Sequence, residues 1–215
     1  MAACLLEAEW PGYAVGPEHS ALQSQRQQST RCSRLQTASM KIHPFDEDPS
    51  HRRIVPYDPI YETLFLRVQE HVQSAIPNTE LVHIGSTAIP DLLGKPMLDI
   101  VAISSESDLR EAQTRFVSLG FHRRDVWVDR DDKPYVCGSI EQNGTRYNVN
   151  VHICHRGDPV HKDSLEFIEI LTKRPDLRRK YEKAKERAHT VDPENPENYN
   201  REKEAVILEI HEEGR

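Results

Sequence analysis

The sequence has no long hydrophobic run and no excess of basic residues. Crossing a bilayer takes about 18 consecutive apolar residues, and no such run occurs, so we predict no transmembrane span. The 28 Lys and Arg residues are outnumbered by 35 Asp and Glu residues, which gives a net charge of −7. A general nucleic-acid-binding protein usually presents a basic face. The charge balance therefore disfavours nucleic acid as a partner and leaves room for a small anionic ligand held by local lysines.

Cysteine is also scarce, with four residues in the chain. Cys4 and Cys32 lie near the N-terminus, whereas Cys137 and Cys154 lie far along the chain, and no C-x-x-C spacing occurs. A disulfide framework or a zinc module would need such regular spacing. Reduced thiols are typical of a cytoplasmic protein, and the cytoplasm is the predicted compartment.

Residues 1–50 lack a repeating apolar face and are rich in Gln, Ser and charged residues. Chains of this composition do not recover the entropy lost on ordering. We therefore expect 1–50 to be a disordered N-terminal tail, of which residues 1 to about 45 are dispensable for folding, and 51–215 to be the folded domain. The arginines of the tail leave mitochondrial import as an alternative, although its acidic residues disfavour that destination.

Beyond the tail, helix and strand patterns alternate. Asp58-Pro59 is typical of a helix start, and apolar residues at helical spacing continue to Pro77. Strands are predicted at 81–84 and 97–103 because both segments are short and strongly apolar. A second helix is predicted to begin with Ser105 as its N-cap.

Hairpin signals and then further helix starts follow. Strands are predicted at 121–128, 134–140 and 145–153, and the Asn143-Gly144 pair is a strong hairpin signal between the last two. Prolines mark three later helix starts, at Asp158-Pro159, Arg174-Pro175 and Asn195-Pro196. Helical crossovers beside hairpins predict an α/β (α+β) fold with a mixed β-sheet and flanking helices.

One acidic residue interrupts an apolar strand. Asp99 lies within 97–103, and the preceding strand ends in the turn Gly85-Ser86-Thr87. Glycine lets a backbone approach a ligand closely, and the hydroxyl and amide groups of Ser86 and Thr87 suit a phosphate-like anion. A buried carboxylate must be paired, hydrogen-bonded or bound to a metal. Asp99 is therefore either a functional acid or the partner of a structural group.

Three segments carry a family resemblance: residues 53–59 (RIVPYDP), 83–90 (HIGSTAIP) and 95–100 (KPMLDI). In this order they resemble the GrpB family, which is also found fused to some bacterial dephospho-CoA kinases. The resemblance covers most of the predicted domain and implies a nucleotidyltransferase-like core followed by C-terminal helices. In that superfamily a Gly-Ser turn precedes a strand with Asp-x-Asp or Asp-x-Glu, which implies ligand-binding roles for Gly85 and Ser86 and a metal-binding role for Asp99.

The second carboxylate implied by the resemblance is absent, because Val101 stands at its position. Nucleotidyl transfer normally uses two or three carboxylates to hold Mg²⁺. Strand alternation places Asn150 and His152 on one face of the last strand, where the resemblance implies a third carboxylate. We therefore expect Asp99 to face these two residues beside the Gly-Ser turn. Asp99, His83 and His152 are the predicted catalytic residues and the predicted ligands of a divalent metal, Mg²⁺ or Mn²⁺.

Lysines near the turn and in the C-terminal helices complete the predicted ligand site. Tyr181 and Lys185, and then Tyr199 and Lys203, are similar to a Tyr-x-x-x-Lys pattern of the family, and residues at this spacing share a helix face. Each lysine either leans over the pocket or lies on a charged helix surface. The predicted ligand-binding residues are Gly85, Ser86, Thr87, Lys95, Asn150, Lys185 and Lys203.

Two main functions remain open. The first is a nucleotidyltransferase-like enzyme that acts on a nucleotide or another small anionic substrate with a divalent metal. The alternative is a non-catalytic module of the same fold that binds such a ligand and has lost the second metal carboxylate. The valine at position 101 favours the module, whereas the retained Asp99 favours the enzyme. A third possibility is a metal-dependent enzyme of another reaction class, because two histidines and one carboxylate suit a transition metal.

Overall fold

The computed structural model describes residues 40–123, 133–191 and 196–214. Within these ranges the strands are β1 (Glu80–Ile84), β2 (Met97–Ser104), β3 (Tyr135–Gln142) and β4 (Thr145–His155). The helices are α1 (Ile60–Ala75), α2 (Leu109–Ser118), α3 (Pro159–Lys173), α4 (Pro175–Val191) and α5 (Pro196–Gly214). None of the helices in these ranges is long and apolar enough to cross a membrane.

The strands form one mixed sheet in the order β1-β2-β4-β3. β2 pairs antiparallel with β1 and parallel with β4, and β3 pairs antiparallel with β4. The parallel pair requires a crossover, which α2 and β3 supply between β2 and β4. This arrangement confirms the predicted α+β class with a mixed sheet and flanking helices.

The strand register decides which side chains share a face of the sheet. Asp99 on β2 lies opposite Ile84 on β1 and Asn150 on β4, and Val101 lies opposite His152. Paired residues point to the same side and their neighbours point to the other. One face therefore carries the side chains of Ile84, Asp99, Val101, Asn150 and His152. We call it the Asp99 face.

The opposite face of the sheet packs against α1 and α2. The shared core contains Leu64, Val68, Leu98, Ile100, Phe116, Val149 and Val151. Burying one such side chain fully contributes about 2 kcal/mol. The Asp99 face meets α3, where Val101, Ile103 and Cys154 pack with Val160 and Ile168. Because helices cover both faces, β2 is apolar on both sides, and a carboxylate within it is unusual.

Several local predictions are confirmed. Four helices begin at the prolines that predict them or directly after: α1, α3, α4 and α5. The hairpin between β3 and β4 turns at Asn143 and Gly144, with φ values of 52° and 77°, and two positive values are typical of the type I′ turn.

One local prediction needs correction, and part of another lies outside the described residues. Asp108, not Ser105, is the N-cap of α2, and its carboxylate accepts a hydrogen bond of 2.8 Å from the Arg110 amide. In the strand predicted at 121–128, His122 forms an isolated bridge with Cys137. Residues 124–128 of that strand lie outside the described residues.

The folded domain begins before the predicted boundary at residue 51. Ile42 belongs to the core, and the backbone of His43 pairs with Ser139 on the outer edge of β3. The Asn148 side chain accepts a hydrogen bond from the Asp46 amide and donates one to the Asp46 carbonyl, both at 2.8 Å. An open strand edge attracts such pairing, and residues 40–46 pack on the sheet, while the dispensability of residues up to about 45 stays a prediction.

We expect Asn148→Ala to lower the free energy of unfolding by about 1–3 kcal/mol, because the backbone of Asp46 loses two hydrogen bonds to a fully buried side chain. Urea denaturation monitored by circular dichroism measures this change. Thr145→Ala, at an exposed site on the same strand, is the matched control and should change stability by less than about 0.5 kcal/mol. Equal midpoints for the two variants would contradict the docking of 40–46 on the sheet.

Candidate functional site

The turn after β1 requires a glycine. Gly85 has φ 76° and ψ −167°, a backbone conformation that is essentially restricted to glycine. A Cβ atom built on Gly85 would lie 2.8 Å from the Asp99 Oδ2 atom. The turn backbone therefore rests directly against the carboxylate, and Ser86 follows at once. The predicted proximity of Asp99 to the Gly-Ser turn is confirmed.

Hydrogen bonds hold the Asp99 carboxylate from the side of β4. The Asn150 Nδ2 atom donates to Asp99 Oδ1 at 2.9 Å. The Tyr135 hydroxyl donates to Asn150 Oδ1 at 3.2 Å. No sequence pattern predicts Tyr135, which is paired with His152 in the β3–β4 register. The three side chains form a chain of hydrogen bonds that fixes the orientation of the acid.

His152 lies on the Asp99 face, as predicted. Its ring centroid is 5.7 Å from that of Tyr135. Burial lowers the pKa of His152; Asp99 opposes this shift, and Lys203 adds to it. The imidazole is therefore predominantly neutral near pH 7, the state in which it accepts a proton.

His83 lies on the opposite face of the sheet, so its predicted role beside Asp99 is wrong. It pairs with Ile100 across the β1–β2 ladder, whereas its neighbour Ile84 pairs with Asp99. Its ring stacks on Phe65 of α1 with centroids 5.4 Å apart. Burial lowers the pKa of His83 to about 4, so this histidine is a neutral member of the α1 interface.

The Thr87 hydroxyl serves the structure of the turn. It donates to the Met97 carbonyl at 2.9 Å and lies 3.0 Å from the His83 Nε2 atom. Because the hydroxyl has one proton and gives it to Met97, His83 Nε2 must be the donor in the second contact. Thr87 thus joins the turn after β1 to the start of β2, and its predicted ligand role stays a prediction.

The predicted metal ligands are not brought together. Among residues 40–123, 133–191 and 196–214, no group of three His, Cys, Asp or Glu side chains is placed to hold a metal ion. Alternation along β1 turns His83 away, and Val101 is fully buried in an apolar cluster. The donors beside Asp99 do not fit a Mg²⁺ ion, which requires near-octahedral oxygen coordination.

Lys185 reaches the Gly-Ser turn from α4. Its side chain is only 1% exposed, and its Nζ atom donates to Ser86 Oγ at 3.2 Å and to the Leu93 carbonyl. The ammonium also lies 4.4 Å from the centroid of the Tyr181 ring, which confirms the predicted shared helix face. Burial, and secondarily Lys203, lowers the pKa of Lys185 to about 7.

Two further lysines carry charge close to this point. Burial lowers the pKa of Lys95 to about 8, and the charges of Lys203 and Arg52 act in the same direction. Lys203 on α5 thus lies within electrostatic range of Lys95, Lys185 and His152. We call Lys95, Lys185 and Lys203 the lysine cluster. Arg52 belongs to no sequence motif that predicts a functional role.

The segment that carries Lys95 is fixed from two directions. A Cβ atom built on Gly94 would lie 2.5 Å from Ser86 Cβ and 3.8 Å from Lys185 Nζ. The backbone of Gly94 also exchanges two hydrogen bonds with Val55, of 2.8 and 3.0 Å. The segment therefore lies tightly against the Gly-Ser turn, which holds Lys95 near Lys185.

A crevice beside this segment contains a buried hydroxyl. Tyr61 lines it together with Thr87 and Lys95. The Tyr61 side chain is 3% exposed, and its hydroxyl has no hydrogen-bond partner in the part of the chain that the structure describes. Burial raises its pKa, and Asp99 adds to the shift. Helical spacing places Tyr61 on the same face as Leu64 and Val68 but does not reveal that its hydroxyl is unpaired among the described residues.

Solved structures include folds similar to this one. The crystal structure of the conserved protein GrpB from Enterococcus faecalis matches with a TM-score of 0.61 and 22% identity, and the match covers 75% of this chain and 96% of that chain. The Cid1 poly(U) polymerase, solved with MgGTP bound, matches with a TM-score of 0.41 and 12% identity over 63% of this chain and 46% of that chain.

Sequence comparison identifies the family. A UPF0157 protein of Streptomyces coelicolor is 30% identical over 166 residues, which is 72% of this chain and 79% of that protein. The family model described as GrpB protein matches residues 51–213, which include the turn, Asp99 and the lysine cluster. The chain belongs to the GrpB family.

Proposed function

We propose that this protein binds a small phosphate-bearing molecule, with nucleotides as the first class to test. The ligand lies between the turn Gly85–Thr87 and the lysine cluster. The observation that carries the proposal is Lys185, an almost fully buried ammonium whose Nζ atom lies 3.2 Å from Ser86 Oγ. Burying a charged group is costly unless it is paired, and an anionic ligand at the turn supplies that pairing.

The charge distribution supports the same proposal. The charge of Lys203 contributes to the lowered pKa of both Lys95 and Lys185. The turn also lies against an acid, because a Cβ atom built on Gly85 would lie 2.8 Å from Asp99 Oδ2. A bound anion relieves repulsion between like charges and restores their protonation. Glu182 and Glu186 act on Lys185 in the opposite sense, while Arg178 adds to the effect of Lys203.

A second candidate is group transfer to an acceptor hydroxyl, which the resemblance to nucleotidyltransferases implies. The observation that favours it is the pair Asp99 and His152 on one face of the sheet, with Asp99 oriented by Asn150. A neutral imidazole beside a fixed carboxylate is suited to accept a proton from a hydroxyl. In this candidate the acceptor oxygen bonds to the α-phosphorus of a nucleoside triphosphate, pyrophosphate leaves, and the lysine cluster neutralises the phosphate groups of the donor.

We expect anion affinity to fall as the pH rises through about 7 to 8, because Lys185 and Lys95 lose their protons in this range. Sulfate is the probe, since its charge stays constant between about pH 6 and pH 9, and calorimetric titration measures its affinity. Lys185→Met should flatten the profile. A wild-type affinity that rises or stays constant over this range would contradict protonated lysines as the binding groups.

We expect Lys185→Met to reduce the affinity for ATP at least tenfold. The free energy of unfolding should stay within about 1 kcal/mol of the wild type or rise, because removing a buried charge offsets the lost hydrogen bonds. Calorimetry and urea denaturation measure the two effects. Lys183→Met, at an exposed site on the same helix, is the matched control and should change neither. A marked loss of stability in the Lys185 variant with unchanged ATP affinity would make Lys185 structural.

We expect Asp99→Asn to leave ATP affinity unchanged or to raise it several-fold, because one negative charge near the ligand is removed. Any nucleotidyl-transfer activity should be lost, which radiolabelled ATP with candidate acceptors measures. Asp91→Asn, at an exposed site in the loop that precedes β2, is the control. Loss of ATP affinity in the Asp99 variant alone would argue instead that the carboxylate contacts the ligand through a cation.

A further inference from the structure

The positions where the resemblance implies metal carboxylates hold one acid and no free oxygen donor. The amide of Asn150 is engaged at both ends, because Nδ2 donates to Asp99 and Oδ1 accepts from Tyr135. Val101 has no exposed surface and packs with Ile103. Divalent magnesium needs several hard oxygen ligands, and Asp99 is the one carboxylate among Asp99, Val101 and Asn150.

The lysine cluster supplies positive charge at the turn whose Gly85 lies against Asp99. Lys185 touches Ser86 within the turn, and Lys203 lies within electrostatic range of Lys95, Lys185 and His152. The charge of Lys203 therefore acts both on Lys185, which contacts the turn, and on His152. Positive groups on both sides repel a divalent cation and attract the anion that the cation would accompany.

We infer that the site selects the metal-free form of a phosphate chain, with the lysine cluster in the place of a divalent cation. The inference rests on the proposed binding function and adds the charge state of the ligand. Magnesium cancels two negative charges of a bound triphosphate. The magnesium complex is therefore attracted more weakly and brings a cation close to Lys185 and Lys203.

Calorimetric titration of the full chain tests this selection. ATP and inorganic tripolyphosphate are each titrated in EDTA and in excess Mg²⁺ at equal ionic strength, because salt screens these charges. We expect both ligands to bind about tenfold or more tightly in EDTA. Similar affinities for the two ligands would assign recognition to the phosphate chain, and tighter binding of ATP would add a nucleoside contact. Either result supports the inference.

Other outcomes separate this inference from the function on which it rests. Equal or tighter binding in Mg²⁺ would overturn metal-free selection and leave the anion-binding function intact. Failure of both ligands to bind in either buffer would overturn the proposed function as well.

Two substitutions test the cause of the selection. Lys203→Gln should reduce the affinity in EDTA at least fivefold and shrink the difference between EDTA and Mg²⁺. Arg201→Gln, which removes an exposed cation from the same helix, is the matched control and should preserve that difference. Val101→Asp, which restores an acid on the Asp99 face, should shift the preference towards Mg²⁺. Because that acid enters an apolar cluster, the Lys203 variant decides the test if the Val101 variant does not fold. An unchanged difference in Lys203→Gln would overturn the role of the cluster.

Discussion

The close approach of the Gly85 backbone to the Asp99 carboxylate determines how the rest of the site is built. A side chain at Gly85 would bring its Cβ atom to within 2.8 Å of Asp99 Oδ2, so β1 could not end so close to β2. With glycine, the chain turns immediately and presents Ser86 to Lys185, 3.2 Å away. Gly94 allows a second close approach on the other side of Ser86. The acid, the hydroxyl and the ammonium are therefore held together mainly by backbone geometry.

Local sequence signals predicted much of the fold because the physical cause was also local. Proline fixes the backbone at helix starts, and the Asn143-Gly144 pair adopts the positive φ values that a tight hairpin needs. Ser105 failed as an N-cap because a turn intervenes, in which the Ser104 hydroxyl accepts a hydrogen bond from the Glu106 amide at 3.1 Å. Residues 40–46 were missed because their partner, the edge of β3, lies far along the chain.

The sequence predicts the candidate site only where alternation along a single strand is enough to place a side chain. Alternation along β4 correctly placed Asn150 and His152 together, and the acid within an apolar strand marked Asp99. The face of His83 depends on the register between β1 and β2, and a shift of one residue reverses every side chain. The Tyr135 contact and the meeting of Lys95 with Lys203 depend on packing between distant segments. These features carry no local signal that a single sequence displays.

The chain as a whole is acidic, whereas the proposed ligand site contains the lysine cluster. This difference favours a small ligand over a large one. The net charge of −7 is spread over the chain, and salt screens exposed charges beyond about 8–10 Å. A small anion that reaches Lys185 therefore responds mainly to the enclosed ammonium groups. A long polyanion would also extend over other parts of a chain in which 35 acidic residues outnumber 28 basic ones, and this net charge would repel it. Under the proposed function, this charge pattern favours a short phosphate chain at the turn over a long polyanion.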